Sequence, residues 1–397
     1  MEHLICKQAF AEIHTASGEY PKPVVKLHNR SFLGVAMKKV VSAAVFLVLI
    51  FSLYKTFARE AVSLDLTGSM KTLLVNNLSY KRLVKLENDA HESYKNAVRE
   101  ADNIEDDGSV YKGRIKYLVP RQREDAWLTA VENRKALRDS LYLSLRQKYL
   151  LIYNSSVNLK LQNKNLGLAS LEYDKKGMMY ESGIISPINM EEAKYGLMES
   201  KHAFFSAQRG FENTSRSLNL FLGVDTKFLY DSVLMDETRY FPLSKAEGYF
   251  ISHAVKNRKE IKQLARRIEN IKNEMKIMER KQQHQIIVEL GRQYAELGRS
   301  LERTFLQLER AKIDIEEEVR SLYADLVSKG KGLEIMLKSL NLQKDQLKQM
   351  KARYEAGYIS EFTLEQKKLA MEQAEYGYLS ELFVYNTLRL ELDMAIR

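Results

Sequence analysis

After Cys6 the chain has no cysteine, so residues 7–397 can build neither a disulfide framework nor a thiolate metal site. Proline is nearly as scarce: beyond residue 58 only Pro120, Pro187 and Pro242 occur. An interior proline costs a helix about 3 kcal/mol, so this spacing leaves room for long uninterrupted helices. There is no glycine-rich phosphate loop, no G-x-S-x-G elbow and no histidine pair at ligand spacing; His91, His202, His253 and His284 stand alone. These absences argue against an enzyme, a cofactor and a metal centre. The one tryptophan, Trp127, reads as a packing residue near the start of a long helix. Net charge is +10, of which residues 1–58 supply +4 (seven Lys/Arg, three Asp/Glu) and the rest is scattered among Glu-Lys and Glu-Arg neighbours. No basic stripe carries interleaved aromatic residues, so nucleic acid is not an expected partner.

One hydrophobic run is present. Met37-Lys38-Lys39 leads into Val40–Leu53, followed by Lys55, Thr56, Phe57 and Ala58. A basic start, a short apolar core and small residues at the end make 37–58 a secretory signal; an uncleaved N-terminal anchor or a buried helix are the alternatives. The run is shorter than the roughly 20 residues of a membrane span. No cysteine follows it, which excludes a lipid anchor on a mature N-terminal Cys. Residues 1–36 lack hydrophobic periodicity and hold Pro21 and Pro23. They read as a non-native extension upstream of a true start at Met37, or as a disordered tail ahead of an anchor.

What the rest contains is a repeat. Tyr180-Glu181-Ser182-Gly183-Ile184-Ile185-Ser186 returns as Tyr354-Glu355-Ala356-Gly357-Tyr358-Ile359-Ser360, each position shifted by 174. After each turn, Leu197, Phe204, Phe211 and Leu218 stand opposite Met371, Tyr378, Tyr385 and Leu392 at heptad spacing. Before the second turn, Leu333, Leu337, Leu340, Lys344, Leu347, Lys351 and Tyr354 alternate by four and three. Such a pattern predicts two antiparallel helices meeting at a tight tip, twice. Gly183 and Gly357 supply the reversal, Ser186 and Ser360 the caps, and Pro187 the first residue of a returning helix. A weaker match links Asn76-Asn77-Leu78 to Asn257-Arg258-Lys259 at an offset of 181. Seven extra residues therefore lie in the first half, within 101–126, which reads as a loop. The expected fold is all-α, with long coiled-coil hairpins in two tandem repeats: 59–223, a connector at 224–243, and 244–397.

With VSLDLTGSMKTLLVNN and PLSKAEGYFISHAVKNRKEI before the arms, the YESGIIS and YEAGYIS tips, and SRSLNLFLG closing the first repeat, the chain resembles the TolC family of outer-membrane efflux and secretion channels from about Val62 to Arg397. The resemblance implies a trimeric homo-oligomer forming a hollow cylinder in the cell envelope, whose tips meet a HlyD-like membrane-fusion adaptor and an inner-membrane ABC or other pump. It makes Tyr180, Gly183, Ile184, Ile185, Ser186, Tyr354, Gly357, Tyr358, Ile359 and Ser360 the docking end. Exposed Ile184, Ile185, Tyr358 and Ile359 are expected there; the alternative is that these residues only build tight hairpins.

Two departures accompany the resemblance. Family members place acidic residues in the narrowing six positions past the turn glycine, where this chain has Asn189 and Thr363 as aperture residues. The family also inserts a strand pair between the arms of each half and closes these into a membrane barrel. Here one stretch alternates, Tyr111, Gly113, Ile115, Tyr117 and Val119, and the matching segment around Gln285–Leu290 barely does. The barrel strands are thus expected to be largely missing, and the alternating stretch to be an exposed hairpin or a helix end. A second function class stays open: a structural coiled-coil protein of the envelope without channel activity.

Overall fold

The computed structural model describes residues 63–396 apart from 231, 236 and 238, and the expectations for 1–58 lie outside this range. Ten α-helices and two very short strands make up this body. The first half holds β1 (Ser63–Leu64), α1 (Leu66–Asn76), α2 (Leu78–Asn103), α3 (Val110–Gly113), a π-helical turn (Arg114–Leu118), α4 (Val119–Glu181) and α5 (Pro187–Leu222). β2 (Ser232–Val233) lies in the connector. The second half holds α6 (Glu247–Asn257), α7 (Lys259–Met278), a 3₁₀ turn (Arg280–Gln282), α8 (Gln283–Ile286), α9 (Val288–Glu355) and α10 (Glu361–Ala395).

The boundaries fall where local chemistry sets them. Pro120 and Pro187 sit in the first turns of α4 and α5, where a missing amide hydrogen costs no helical bond. α1 and α2 are separated by Asn77 alone, in extended conformation with its side chain accepting from the Tyr80 amide; α6 and α7 are separated by extended Arg258 alone. Both breaks stand at the offset of 181. The loop expected over 101–126 is confined to 104–109, since helix resumes at Val110. The alternating stretch Tyr111–Val119 is neither strand nor hairpin but helix: Val110 and Leu118 are buried against Ile277 and Met278 of the other half, an inward spacing that suits a helical turn. Among the described residues the strands are β1 and β2 only, paired in parallel with Ser63 opposite Ser232.

α4 has 63 residues and α9 has 68, so each spans about 95–100 Å at 1.5 Å per residue. Each runs from a capped end, where the halves meet through the buried Ile277 and Met278, to a tip. On the tip side the packing order is α5, α4, α10, α9; on the capped side it is α2, α4, α7, α9. The body is therefore a curved or flat layer of helices with two edges, α9 forming one edge throughout.

Two cores lie near mid-length. One gathers Leu145, Tyr149, Ile152, Leu218 and Leu222 with the connector residues Tyr230 and Val233. The other gathers Val319, Leu326, Leu333, Leu382, Tyr385 and Leu392. The connector is strapped down by polar ties: Tyr230 Oη donates to Asn219 Oδ1 at 2.6 Å, and Tyr385 Oη donates to the Phe241 carbonyl at 3.0 Å. The heptad seam of α9 is narrower than the sequence suggests. Leu333, Leu340 and Leu347 are buried, whereas Leu337, Lys351 and Tyr354 are exposed, because only every seventh position faces α10.

Candidate functional site

The two tips share one backbone solution. At the first, the Gly183 amide donates to the Tyr180 carbonyl at 2.9 Å and the Ile184 amide to Met179 at 2.8 Å; at the second, Gly357 donates to Tyr354 at 2.9 Å and Tyr358 to Arg353 at 2.8 Å. This is a glycine-terminated helix end, with φ of 71° at Gly183 and 78° at Gly357, a region L side chains avoid. Three residues after each glycine, Ser186 Oγ accepts from the Asn189 amide at 3.3 Å and Ser360 Oγ from the Thr363 amide at 3.2 Å, starting α5 and α10.

That geometry assigns Asn189 and Thr363 a concrete place. Both are the residues whose amides the serine caps hold, and the Thr363 hydroxyl lies 2.9 Å from Ser360 Oγ. Each stands in the first turn of a returning helix.

Ile184 is 67% exposed and Tyr358 is 82% exposed, while Tyr180 and Tyr354 are less so. Ile185 and Ile359 differ from the expectation: both are half-buried, because the next residue is the cap and the chain has already turned back onto the hairpin. The outward apolar side chains at the ends are Ile184 and Tyr358, joined at the first tip by Met178 and Ile188. Beside the second tip Lys368 Nζ contacts Glu365 at 2.5 Å, and this hydrogen bond raises the lysine pKa although both side chains are partly exposed.

The two hairpins lie side by side. Lys164 on α4 pairs with Glu372 on α10 at 2.5 Å, and a groove of about 430 Å³ between the hairpins is lined by Leu168, Ser200, Ala203, Phe362 and Leu369. Among the described residues no group of three or more His, Cys, Asp or Glu is placed to hold a metal, and no helix is long and apolar enough to cross a membrane. Trp127 stacks on His91 at 4.4 Å and on Tyr94 at 5.9 Å, a packing role between α2 and α4.

Sequence reading missed the edges of the layer. Ile188, Tyr195, Met198 and Phe205 on α5, and Leu306, Ile313, Ile335 and Leu342 on α9, are each between 56 and 71% exposed. On both helices these residues recur in pairs seven apart. They form coiled-coil seams without a partner in this chain, on opposite edges of the layer. An outward and an inward seam look alike in sequence until the neighbours are known.

No protein-family model matches the chain, and no curated protein matches it either. Solved structures do match in fold. A membrane protein from Pseudomonas aeruginosa aligns with TM-score 0.58 and 15% identity, over 85% of this chain and 91% of that one. The CmeC outer membrane channel of Campylobacter jejuni aligns with TM-score 0.57 and 12% identity, over 86% and 87%. The outer membrane protein VceC of Vibrio cholerae aligns with TM-score 0.52 and 11% identity, over 83% and 94%. The fold of this chain is that of the helical part of TolC-type channels, without a closed barrel among the described residues.

Proposed function

We propose that copies of this chain close edge to edge into a hollow helical conduit, an exported TolC-like channel component of an efflux or type I secretion system. The observation that carries this reading is the pair of unpartnered heptad stripes on α5 and α9. On the tip side, α5 of one copy meeting Ile335 and Leu342 on α9 of the next is a head-to-tail contact, with Leu306 and Ile313 left to face α2 of the first copy on the capped side. Such contacts close into rings when the rotation per subunit allows. Three copies follow from the family resemblance, as does an envelope location at the outer membrane. The helix breaks at Asn77 and Arg258 and the matched tips support a tandem duplication as the origin of the protomer.

The tips are the docking end in this reading. Ile184 and Tyr358 project apolar surface at hairpin ends, which a helical hairpin of a HlyD-like adaptor would cover, with an inner-membrane ABC or other pump beyond it. The first-turn positions Asn189 and Thr363 would make an uncharged aperture, unsuited to an acidic cation gate. With Cys6 replaced by serine, cysteines at Ser182 and Ala356 should cross-link the adaptor in cells. Ile184→Asp with Tyr358→Asp should abolish that capture and leave the helical signal intact. No capture in either background would refute docking through the tips.

A second reading has its own support. The capped end carries short turns in both halves, which suits a coiled-coil envelope protein that kept the helical layer without channel activity. A dry, apolar centre in the assembled protein would favour it over the conduit.

A further inference from the structure

At the capped end, opposite the tips, the chain makes an uncharged turn in a sequence that is 29% charged: Gln282, Gln283, His284, Gln285, Ile286, Ile287 and Val288. Ile286 and Val288 are each 74% exposed and Ile287 is 46% exposed, three consecutive apolar side chains facing outward. Nearby Tyr111 is also 74% exposed.

The turn is held from its inner side. Gln282 adopts φ 53°, an unusual value for a residue with a side chain. Gln283 Oε1 accepts from the Val110 amide at 3.2 Å, tying the turn to the other half. The His284 ring stacks on Tyr294 at 4.8 Å and its Nδ1 lies 3.1 Å from the Met278 carbonyl. The His284 carbonyl approaches α9 so closely that a Cβ on Gly291 would stand 2.9 Å from it. The apolar side chains are thus presented by a braced turn.

We propose that Ile286, Ile287 and Val288 form a finger that inserts into the surface of a lipid bilayer, anchoring the capped end without spanning the membrane. The surrounding charges are consumed locally: Asp106 pairs with Arg280 at 2.9 Å, Asp107 with Lys112 at 3.3 Å, Glu274 with Arg114 at 2.9 Å and Glu289 with Arg292 at 4.0 Å. Opposite charges are thus interleaved around the turn, which offers no block of one sign to an acidic or basic protein. Two such fingers meeting end to end would bury roughly 700 Å² in all, under the about 1,000 Å² that a specific interface needs. Insertion into lipid has no such threshold, since each apolar side chain gains independently, and tyrosine at the rim suits the headgroup level. Because the site is neutral, insertion should be insensitive to lipid charge and to salt. This holds whether or not copies close into a ring.

The test uses the full chain with Cys6→Ser and a single environment-sensitive fluorophore on Gln285→Cys, with Ser182→Cys as the tip control. A local label separates the finger from any binding by the apolar run at 40–53. With neutral phosphatidylcholine vesicles, the label at 285 should shift to the blue and be quenched by nitroxide lipids at both low and high salt, and the label at 182 should not. Adding Ile286→Asp and Val288→Asp should cut quenching at least tenfold while circular dichroism stays unchanged. A label at 285 that remains in water overturns the proposal, as does equal quenching in the double variant. A blue shift that depends on protein concentration without vesicles also overturns it, assigning the finger to a second copy.

Discussion

The side-chain amide of Asn76 donates to the carbonyl of Leu222 at 2.9 Å, fastening the end of α1 to the end of α5. The second half repeats the tie: Asn257 Nδ2 reaches the carbonyl of Ile396 at 3.5 Å, with Asn257 standing 181 and Ile396 standing 174 residues beyond their counterparts. In both halves a short helix thus closes the carbonyl end of the returning arm. Replacing Asn76 by Ala should cost about 1 kcal/mol, the net value of one hydrogen bond to an otherwise open helix end. Asn76→Asp should cost more, since it sets a negative charge against the negative end of the α5 dipole. Urea denaturation of the two variants ranks them.

At the tips the strain argument gives a clean contrast. A Cβ on Gly357 meets nothing within 4 Å, so the only obstacle to a side chain there is φ 78°. Gly357→Val should lose about 1–2 kcal/mol, whereas Gly357→Asn, which tolerates the left-handed region, should lose less. Thermal melting of both variants checks this, and equal melting temperatures would mean the turn is unstrained.

Arg146 is 2% exposed in its side chain, and its guanidinium meets both oxygens of Glu237 at 2.5 and 2.6 Å and Thr387 Oγ1 at 2.9 Å. It stacks on Phe383 at 4.4 Å. One residue therefore joins α4, the connector and α10. Burial alone would lower its pKa, but the bonds to Glu237 more than offset that and hold it raised. Glu237→Leu should destabilise by about 3 kcal/mol, the low end for breaking a buried pair because Glu237 keeps some solvent contact. Arg146→Met should cost less than Glu237→Leu, since the charge it leaves unpaired, Glu237, is partly open to solvent whereas Arg146 is not. Chemical denaturation of the two single variants and the double variant tests the order.

Glu391 is half-buried near Glu318, and burial first, then that like charge, raises its pKa. The folded protein therefore binds this proton more readily than the unfolded chain. Its unfavourable contribution is absent below the ordinary glutamate value of 4.5 and grows as pH rises through the raised value. Glu391→Gln should stabilise the protein at pH 7, and the gain should shrink as the pH is lowered toward 4.5. A pH series of melting temperatures for both proteins reads this directly.

The tip geometry was legible because Gly, Ser and Pro mark a reversal by their own backbone chemistry, without reference to neighbours. Helix lengths were legible for the same reason: only proline and polar breaks interrupt them. The alternating stretch from Tyr111 left a hairpin and a helix end both open, because period-two hydrophobicity over nine residues also fits a helical turn that buries Val110 and Leu118 on one side; the structure takes the helical one. Ile185 and Ile359 were misplaced since exposure at a turn depends on how quickly the returning helix starts. The Arg146–Glu237 pair spans 91 residues and left no local mark in the sequence.

The central claim is that the open edges α5 and α9 belong to neighbouring copies around a hollow centre. Electron-microscope images of the purified exported protein test it most directly, taken alongside a Phe205→Asp, Ile335→Asp variant. The account predicts rings with an open centre for the unaltered protein and single helical bodies of unchanged circular dichroism for the variant. Unassociated bodies in both samples, or a solid bundle with no central opening, would contradict it.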